Sequence, residues 1–258
     1  MNERPPIDAD ALHATAGARW TRLDVVGETA STNADLLGDH DAPDRSVLLA
    51  EVQTGGRGRF DRAWVSPPRS GLTFSILLRP DAPVATWSWL PLLAGVAVHD
   101  AVAPYADAAL KWPNDLLLGP DRGKAAGILA QSTGTAVVVG IGLNVSTTRD
   151  ELPVPTATSL ALCGATPDRT ALLGEILDAF ASRYDSWLGA GGDAEASGVA
   201  SAYRRACATL GEHVVVELPG ASVRGRASDV DASGRLVLDR EGEQVVVAAG
   251  DVTHVRSV

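Results

Sequence analysis

From Gly211 onward the chain stops mixing helical and strand patterns. It becomes a series of short β-branched runs, EHVVVELPG, ASVRGRASDVD, SGRLVLDRE and EQVVVAAGDV, separated by turn residues. Runs this short cannot build long helices. They predict a small all-β barrel of about fifty residues. The preceding segment needs a core of its own, and its pattern differs.

ALHATAG reads as a short helix and WTRLDVVGET as a strand. STNADLLGD follows as a helix, with Ser31 or Thr32 placed to cap it. SVLLAEVQ is apolar between turn signals and reads as a buried strand. A long loop, TGGRGRFDRAWVSPPRSG, leads to the strand LTFSILLRP. Residues 87 to 103 have the length and spacing of a buried helix. AALKWPNDLLL, the turn GPDRG and KAAGILAQS are expected to form one hairpin, and TAVVVGIGLNV another strand. The stretch from 168 is an amphipathic helix with Leu172, Leu173, Ile176, Leu177, Phe180 and Tyr184 on its apolar face. A second helix is expected over 195 to 208. The fold class is therefore α+β: a mixed domain of about 210 residues followed by the barrel.

A chain of 258 residues suits one large domain or a large plus a small one. Its 45% apolar content belongs to an ordinary globular protein. A net charge of −10 argues against broad binding to DNA or an anionic membrane, which needs a basic face. It leaves room for a small basic pocket. There is no apolar N-terminal signal and no run of 18 apolar residues. Cys163 and Cys207 are too few for a disulfide framework, which makes the cytoplasm the expected compartment. The five histidines stand singly, without metal-ligand spacing.

Lys111 and Lys124 are the only lysines, against twenty arginines. Arginine replaces lysine on most solvated surfaces, but not where a compact point charge is required. Both lie in KWPNDLLLGPDRGK, which suggests one site that handles an anion. The plainer reading is chance clustering. In KWPND, Lys111 can meet phosphate oxygens, and Asn114 and Asp115 can place a base, a ribose or Mg²⁺. A simple strand end with an Asn-Asp turn would also account for it. Alternation along KAAGILAQ places Lys124, Ala126 and Ile128 on one face, with a gap at Gly127.

GGRGRF, residues 55 to 60, joins glycines that permit close backbone approach to arginines suited to phosphate and carboxylate. Such a loop can fold over an anion and exclude water. It lacks the Gly-Lys-Ser/Thr ending of a P-loop. GIGLNV lacks the third glycine of a dinucleotide fingerprint; its glycines suit a strand passing close to something flat.

STN at 31–33, QTGGRGRFDRAW at 53–64, KWPNDLLL at 111–118, GKAAGILAQ at 123–131 and GIGLNV at 140–145 stand in a fixed order. Taken together they resemble the biotin protein ligases, the biotin–[acetyl-CoA-carboxylase] ligases, over roughly residues 20 to 258. The resemblance implies residues 1–19 as an N-terminal segment, 20–210 as a catalytic domain and 211–258 as an SH3-like β-barrel. It implies ATP and Mg²⁺ as cofactors, biotin as substrate and biotinyl-5′-AMP as bound intermediate. The biotin is then passed to a lysine of a biotin carboxyl carrier protein or domain. For biotin it implies Ser31, Thr32, Asn33, Gln53, Gly56, Arg57, Arg59, Trp64, Lys124, Gly127, Ile128, Gly140 and Gly142. For the nucleotide it implies Arg59, Trp64, Lys111, Asn114, Asp115, Lys124 and Asn144, with Asp115 on Mg²⁺. Lys124, Arg59 and Lys111 carry the charge stabilisation.

Many members read Gly-Arg-Gly-Arg-x-Gly, whereas Phe60-Asp61 fills the last two places here. Asp61 lacks glycine's freedom and brings a negative charge. Only about twenty residues precede the first strand, too few for the winged helix-turn-helix of some relatives, so no operator DNA is expected. No dimer face is marked, leaving a monomer or weak homodimer. The competing readings are a lipoate or octanoate ligase and a non-enzymatic binding module.

Overall fold

The computed structural model describes residues 4–218 and 220–255, apart from the surroundings of Gly17 and the side chain of Asp61. Seven strands form the first sheet: β1 (Arg22–Thr29), β2 (Ser46–Gln53), β3 (Gly71–Leu78), β4 (Ala108–Lys111), β5 (Asp115–Leu118), β6 (Gly123–Ser132) and β7 (Val137–Asn144). Their order is β1-β2-β3-β7-β6-β5-β4. Only β1 and β2 run parallel, so the sheet is mixed.

Every residue of β3 is buried, because both faces of the sheet are covered. Apolar runs without alternation are the signature of such strands. On one face lie the helices α1 (Ala9–Ala16), α3 (Leu90–Val102) and α4 (Arg169–Gly189). On the other, α2 (Thr32–Gly38) packs Leu36 against Leu48, Leu77 and Val138. Ser31 caps α2, accepting the Ala34 N–H, and Asp168 caps α4. All six apolar positions expected along α4 are buried.

Four expectations need correcting. The helix expected from 87 begins at Leu90, with Pro91 in its first turn and a 3-10 turn, Val84–Trp89, before it. Proline suits that position because the N–H it lacks has no helical partner there. The helix expected over 195–208 is α5 (Val199–Ala206), and left-handed Gly198 (φ 78°) delays its start. The expected single hairpin is a three-stranded meander, because KWPND is itself a turn that pairs Lys111 with Asp115. EQVVVAAGDV is two strands broken at Ala248–Gly250.

The C-terminal unit is a five-stranded antiparallel sheet made of β8 (His213–Leu218), β9 (Ala221–Val230), β10 (Leu236–Arg240), β11 (Glu243–Val247) and β12 (Asp251–His254). Its order is β11-β10-β9-β8-β12. Its inner residues join the main core. Two indoles fasten it to the rest: Trp89 Nε1 donates to Ala232 O at 2.7 Å and Trp112 Nε1 to Gly234 O at 3.0 Å. Cys163 and Cys207 are both free thiols. Among the described residues, no helix is long and apolar enough to cross a membrane.

Candidate active site

A cavity of about 1150 Å³ opens between the first sheet, the loop after β2 and the edge strand β12. Part of its floor is a cross-strand pair of glycines, Gly127 on β6 and Gly142 on β7. A methyl group at Gly142 would collide with the Trp64 indole, and one at Gly127 would stand 3.3 Å from it. The flat group that GIG was expected to pass is therefore the chain's own tryptophan. The indole N–H is buried without a hydrogen-bond partner.

Lys124 reaches this floor through an irregularity that the sequence hides. Leu117 pairs with Lys124 but Leu116 pairs with Ala126, so Ala125 is an extra residue on β6. Such a bulge interrupts alternation. The expected face of Lys124, Ala126 and Ile128 does not exist. Ala126 is fully buried, and the Ile128 side chain packs toward Gly95 of α3. Lys124 instead shares its face with Gly127, whose added methyl would lie 3.6 Å from Nζ. The backbone at Lys124 bonds to the 156–158 segment: its N–H donates to Thr156 O, and its carbonyl accepts from Thr158 N. Nζ sits 2.6 Å from Asp115 Oδ1.

The opposite end of the cavity is polar and neutral. Gln53 Oε1 accepts from the Thr32 N–H at 2.8 Å. Thr32 Oγ1 stands 3.0 Å from the same oxygen. Asn33 lies deeper and fills the space that a side chain at Gly140 would claim. Gly140 thus provides clearance for an amide.

The glycine-rich loop crosses the mouth. Arg59 Nη1 donates to Asn114 Oδ1 at 3.3 Å. Burial works against the Arg59 charge, while Asp115 and Asp251 support it. Within Arg59–Asp61 the left-handed residue is Phe60 (φ 55°, ψ 37°), so it is Phe60 that adopts the conformation easiest for glycine. Its ring sits under the Arg59 and Arg62 guanidinium groups, at 5.1 and 5.8 Å. The charge expected of Asp61 belongs to a side chain outside the described residues. Arg62 reaches Asp251 of β12 at 3.1 Å, tying the loop to the C-terminal sheet.

Of the expected residues, Ser31, Arg57, Lys111, Asn114 and Asn144 also line the cavity. Gly56 does not; it lies under the loop, where its carbonyl accepts from the Trp64 N–H and a methyl would collide with the Trp64 carbonyl. Asn114 and Asn144 spend their amide N–H groups on backbone, donating to Ile128 O and Thr158 O. They brace the strands as well as face the site.

Sequence reasoning missed the contribution of β12, where Asp251, Thr253 and His254 line the cavity. His254 Nε2 stands 3.2 Å from Thr209 Oγ1, which accepts the Trp112 N–H. Burial and the Lys111 charge hold the imidazole below its ordinary pKa, against the opposing pull of Glu212. More than a hundred residues separate β12 from KWPND, and no local pattern joins them.

A mixed sheet thus carries one cavity with a glycine floor, a polar neutral end and a cationic end. The model of the Biotin/lipoate A/B protein ligase family matches residues 23–147, and that of the Biotin protein ligase C terminal domain matches 209–255. The chain is 45% identical to the biotin–[acetyl-CoA-carboxylase] ligase of Mycobacterium tuberculosis, over 98% of this chain and 97% of that protein. Against the Paracoccus denitrificans ligase identity is 33%, over 87% and 98%. The biotin protein ligase of Aquifex aeolicus in complex with biotin and ATP superposes with a TM-score of 0.74 at 27% identity, covering 92% of this chain and all of that one. The chain belongs to the biotin protein ligase family.

Proposed function

We propose that the protein joins biotin to a carrier lysine in two steps at this cavity. In the first, a biotin carboxylate oxygen bonds to the α-phosphorus of ATP and pyrophosphate leaves. In the second, the amine of a carrier lysine attacks the acyl carbon of biotinyl-5′-AMP and AMP leaves. The observation that carries this reading is a single cavity with a neutral hydrogen-bonding end at Thr32–Gln53 and a cationic end at Lys124, Lys111 and Arg59. The neutral end suits the ureido ring. The cationic end suits two anions that repel until cations offset them.

In this reading Lys124 stands between the biotin carboxylate and the α-phosphate, held there by Asp115. Lys111 meets phosphate oxygens. Arg59 and Trp64 cover the intermediate and keep water from the acyl phosphate. Asn114 and Asn144 fix the strands on which the nucleotide rests. Among the described residues, no group of three or more His, Cys, Asp or Glu can hold a metal. In this reading Mg²⁺ would arrive on the ATP phosphates with Asp115 as its protein ligand, since Mg²⁺ in such sites needs only one or two carboxylates. Bound there, it would neutralise phosphate charge.

The partner is a biotin carboxyl carrier domain. We read residues 20–210 as the catalytic unit and 211–258 as a barrel that closes one wall. We also read the protein as cytoplasmic, a monomer or weak homodimer, and independent of DNA. The decisive assay is pyrophosphate release from MgATP with biotin, and separately with octanoate or lipoate, without carrier. Release with biotin alone establishes the reading. Release with the fatty acids transfers the protein to lipoate ligation, and none with any of them leaves a binding module.

A further inference from the structure

We infer that Ser75, backed by Asn33 and Gln131, fixes the hydrogen-bond polarity of the biotin end, so that Thr32 meets its ligand only as an acceptor. This rests on the proposed biotin reading and adds positioning residues behind the pocket wall.

The polarity follows from counting protons. Leu129 O is a backbone carbonyl and can only accept. Asn33 Nδ2 donates to it at 3.3 Å and to Gln131 Oε1 at 2.9 Å. The amide orientation is thereby settled, and Asn33 Oδ1 faces Ser75 Oγ at 2.6 Å. Oδ1 cannot donate, so the Ser75 proton is used there. Ser75 Oγ also lies 2.7 Å from Thr32 Oγ1, and only Thr32 has a proton left for that contact.

Gln53 leads to the same result. Its Oε1 is oriented by the Thr32 backbone N–H, which can only donate. The Thr32 hydroxyl proton therefore has two neighbours, Ser75 Oγ and Gln53 Oε1, and both lie inside the protein. Ser75 is completely buried and Thr32 is 3% exposed, so water does not loosen this order. Toward the cavity Thr32 offers lone pairs alone. The other face of the Gln53 amide, Nε2, lies beside Gly56.

At this end the pocket presents Thr32 Oγ1 as an acceptor. A cyclic urea matches it through a ring N–H. A hydrocarbon tail or a dithiolane ring brings no N–H, and leaves the Thr32 acceptor desolvated and unmet. None of the three positioning residues needs to touch the ligand.

The test compares wild type, Ser75→Ala and Ser75→Thr in pyrophosphate release with biotin. Ser75→Ala removes one of the two internal acceptors of the Thr32 proton and leaves Asn33 Oδ1 buried without its donor, so the order loosens, and KM for biotin is expected to rise about tenfold or more with kcat little changed. Ser75→Thr keeps the hydroxyl and should restore KM. A KM within twofold of wild type in Ser75→Ala, or a fall in kcat alone, overturns the inference. A second measurement needs no variant. Wild-type binding of biotin is compared with biotin methylated at one or the other urea nitrogen. Loss of at least about tenfold in affinity for one isomer is expected, and equal binding of both isomers and biotin overturns the inference. If wild type fails to bind biotin at all, the biotin reading falls and takes this inference with it. Normal biotin binding with tolerated methylation overturns the polarity alone.

Discussion

Lys124 Nζ lies 2.6 Å from Asp115 Oδ1 across the β5–β6 hairpin, and the acid is the more enclosed partner, 15% exposed against 39%. An enclosed carboxylate that holds a half-open ammonium fixes where the cation stands without covering it. The bulge at Ala125 and the hairpin register make this possible.

Replacing Lys124 tests whether a compact charge is required. Lys124→Ala should lower pyrophosphate release by about 10²–10³-fold, the scale of losing one preorganised charge-stabilising group. Lys124→Arg should recover little, because a planar fork cannot stand where the ammonium does. Near-normal adenylation by Lys124→Arg would show that the charge matters and its shape does not.

Gly142 admits the Trp64 indole. Gly142→Ala puts a methyl where the indole ring lies, so the ring has to move. The sheet has both neighbours intact at this position and should persist. The expected result is unchanged far-ultraviolet dichroism, altered tryptophan fluorescence, and biotin activation lowered by about 10²-fold, as misplacement in a site of this kind costs. Retained activity would mean that the indole has no fixed place in the reaction.

Arg169 is a structural counterpart to the site charges. At 7% exposure it donates to Glu51, Gly71 O and Pro5 O, while Glu51 accepts the Ile7 N–H. Arg169→Met leaves Glu51 buried without its counter-charge. Such breaks cost about 3–5 kcal/mol. Urea denaturation should register that loss, and a shift under 1 kcal/mol would contradict it.

Glu151 links pH to the N-terminal segment. Its hydrogen bond to Arg4, then that from the Thr148 N–H, hold its carboxyl down from 4.5 to about 2. Since the folded value lies below the unfolded one, the contribution to stability is complete above pH 4.5. It is lost as pH falls from there toward 2. Carboxyl carbon NMR should place the Glu151 midpoint near the lower value, and Arg4→Ala should move it upward. An unmoved midpoint in that variant would remove Arg4 as the main cause.

The sequence by itself determined much of the architecture and the inventory of the site. The strand LTFSILLRP, the cap at Ser31 and the apolar stripe of α4 depend on neighbours a few residues away, so local pattern carries them. The pair Lys111 and Lys124, the glycine-arginine loop and the order of the motifs marked the chemistry for the same reason. Tertiary structure decided how these parts face one another. Alternation put Lys124 beside Ile128; one extra residue, Ala125, put it beside Gly127 instead, because register across two strands sets which face a side chain takes. Asp251 and His254 entered the cavity because the C-terminal sheet docks there, a contact between segments far apart in the chain. Ser75 looks like any small residue in a buried strand. Only its 2.6 Å approach to Asn33 gives its proton a direction, and that direction belongs to the packing of α2 on the sheet.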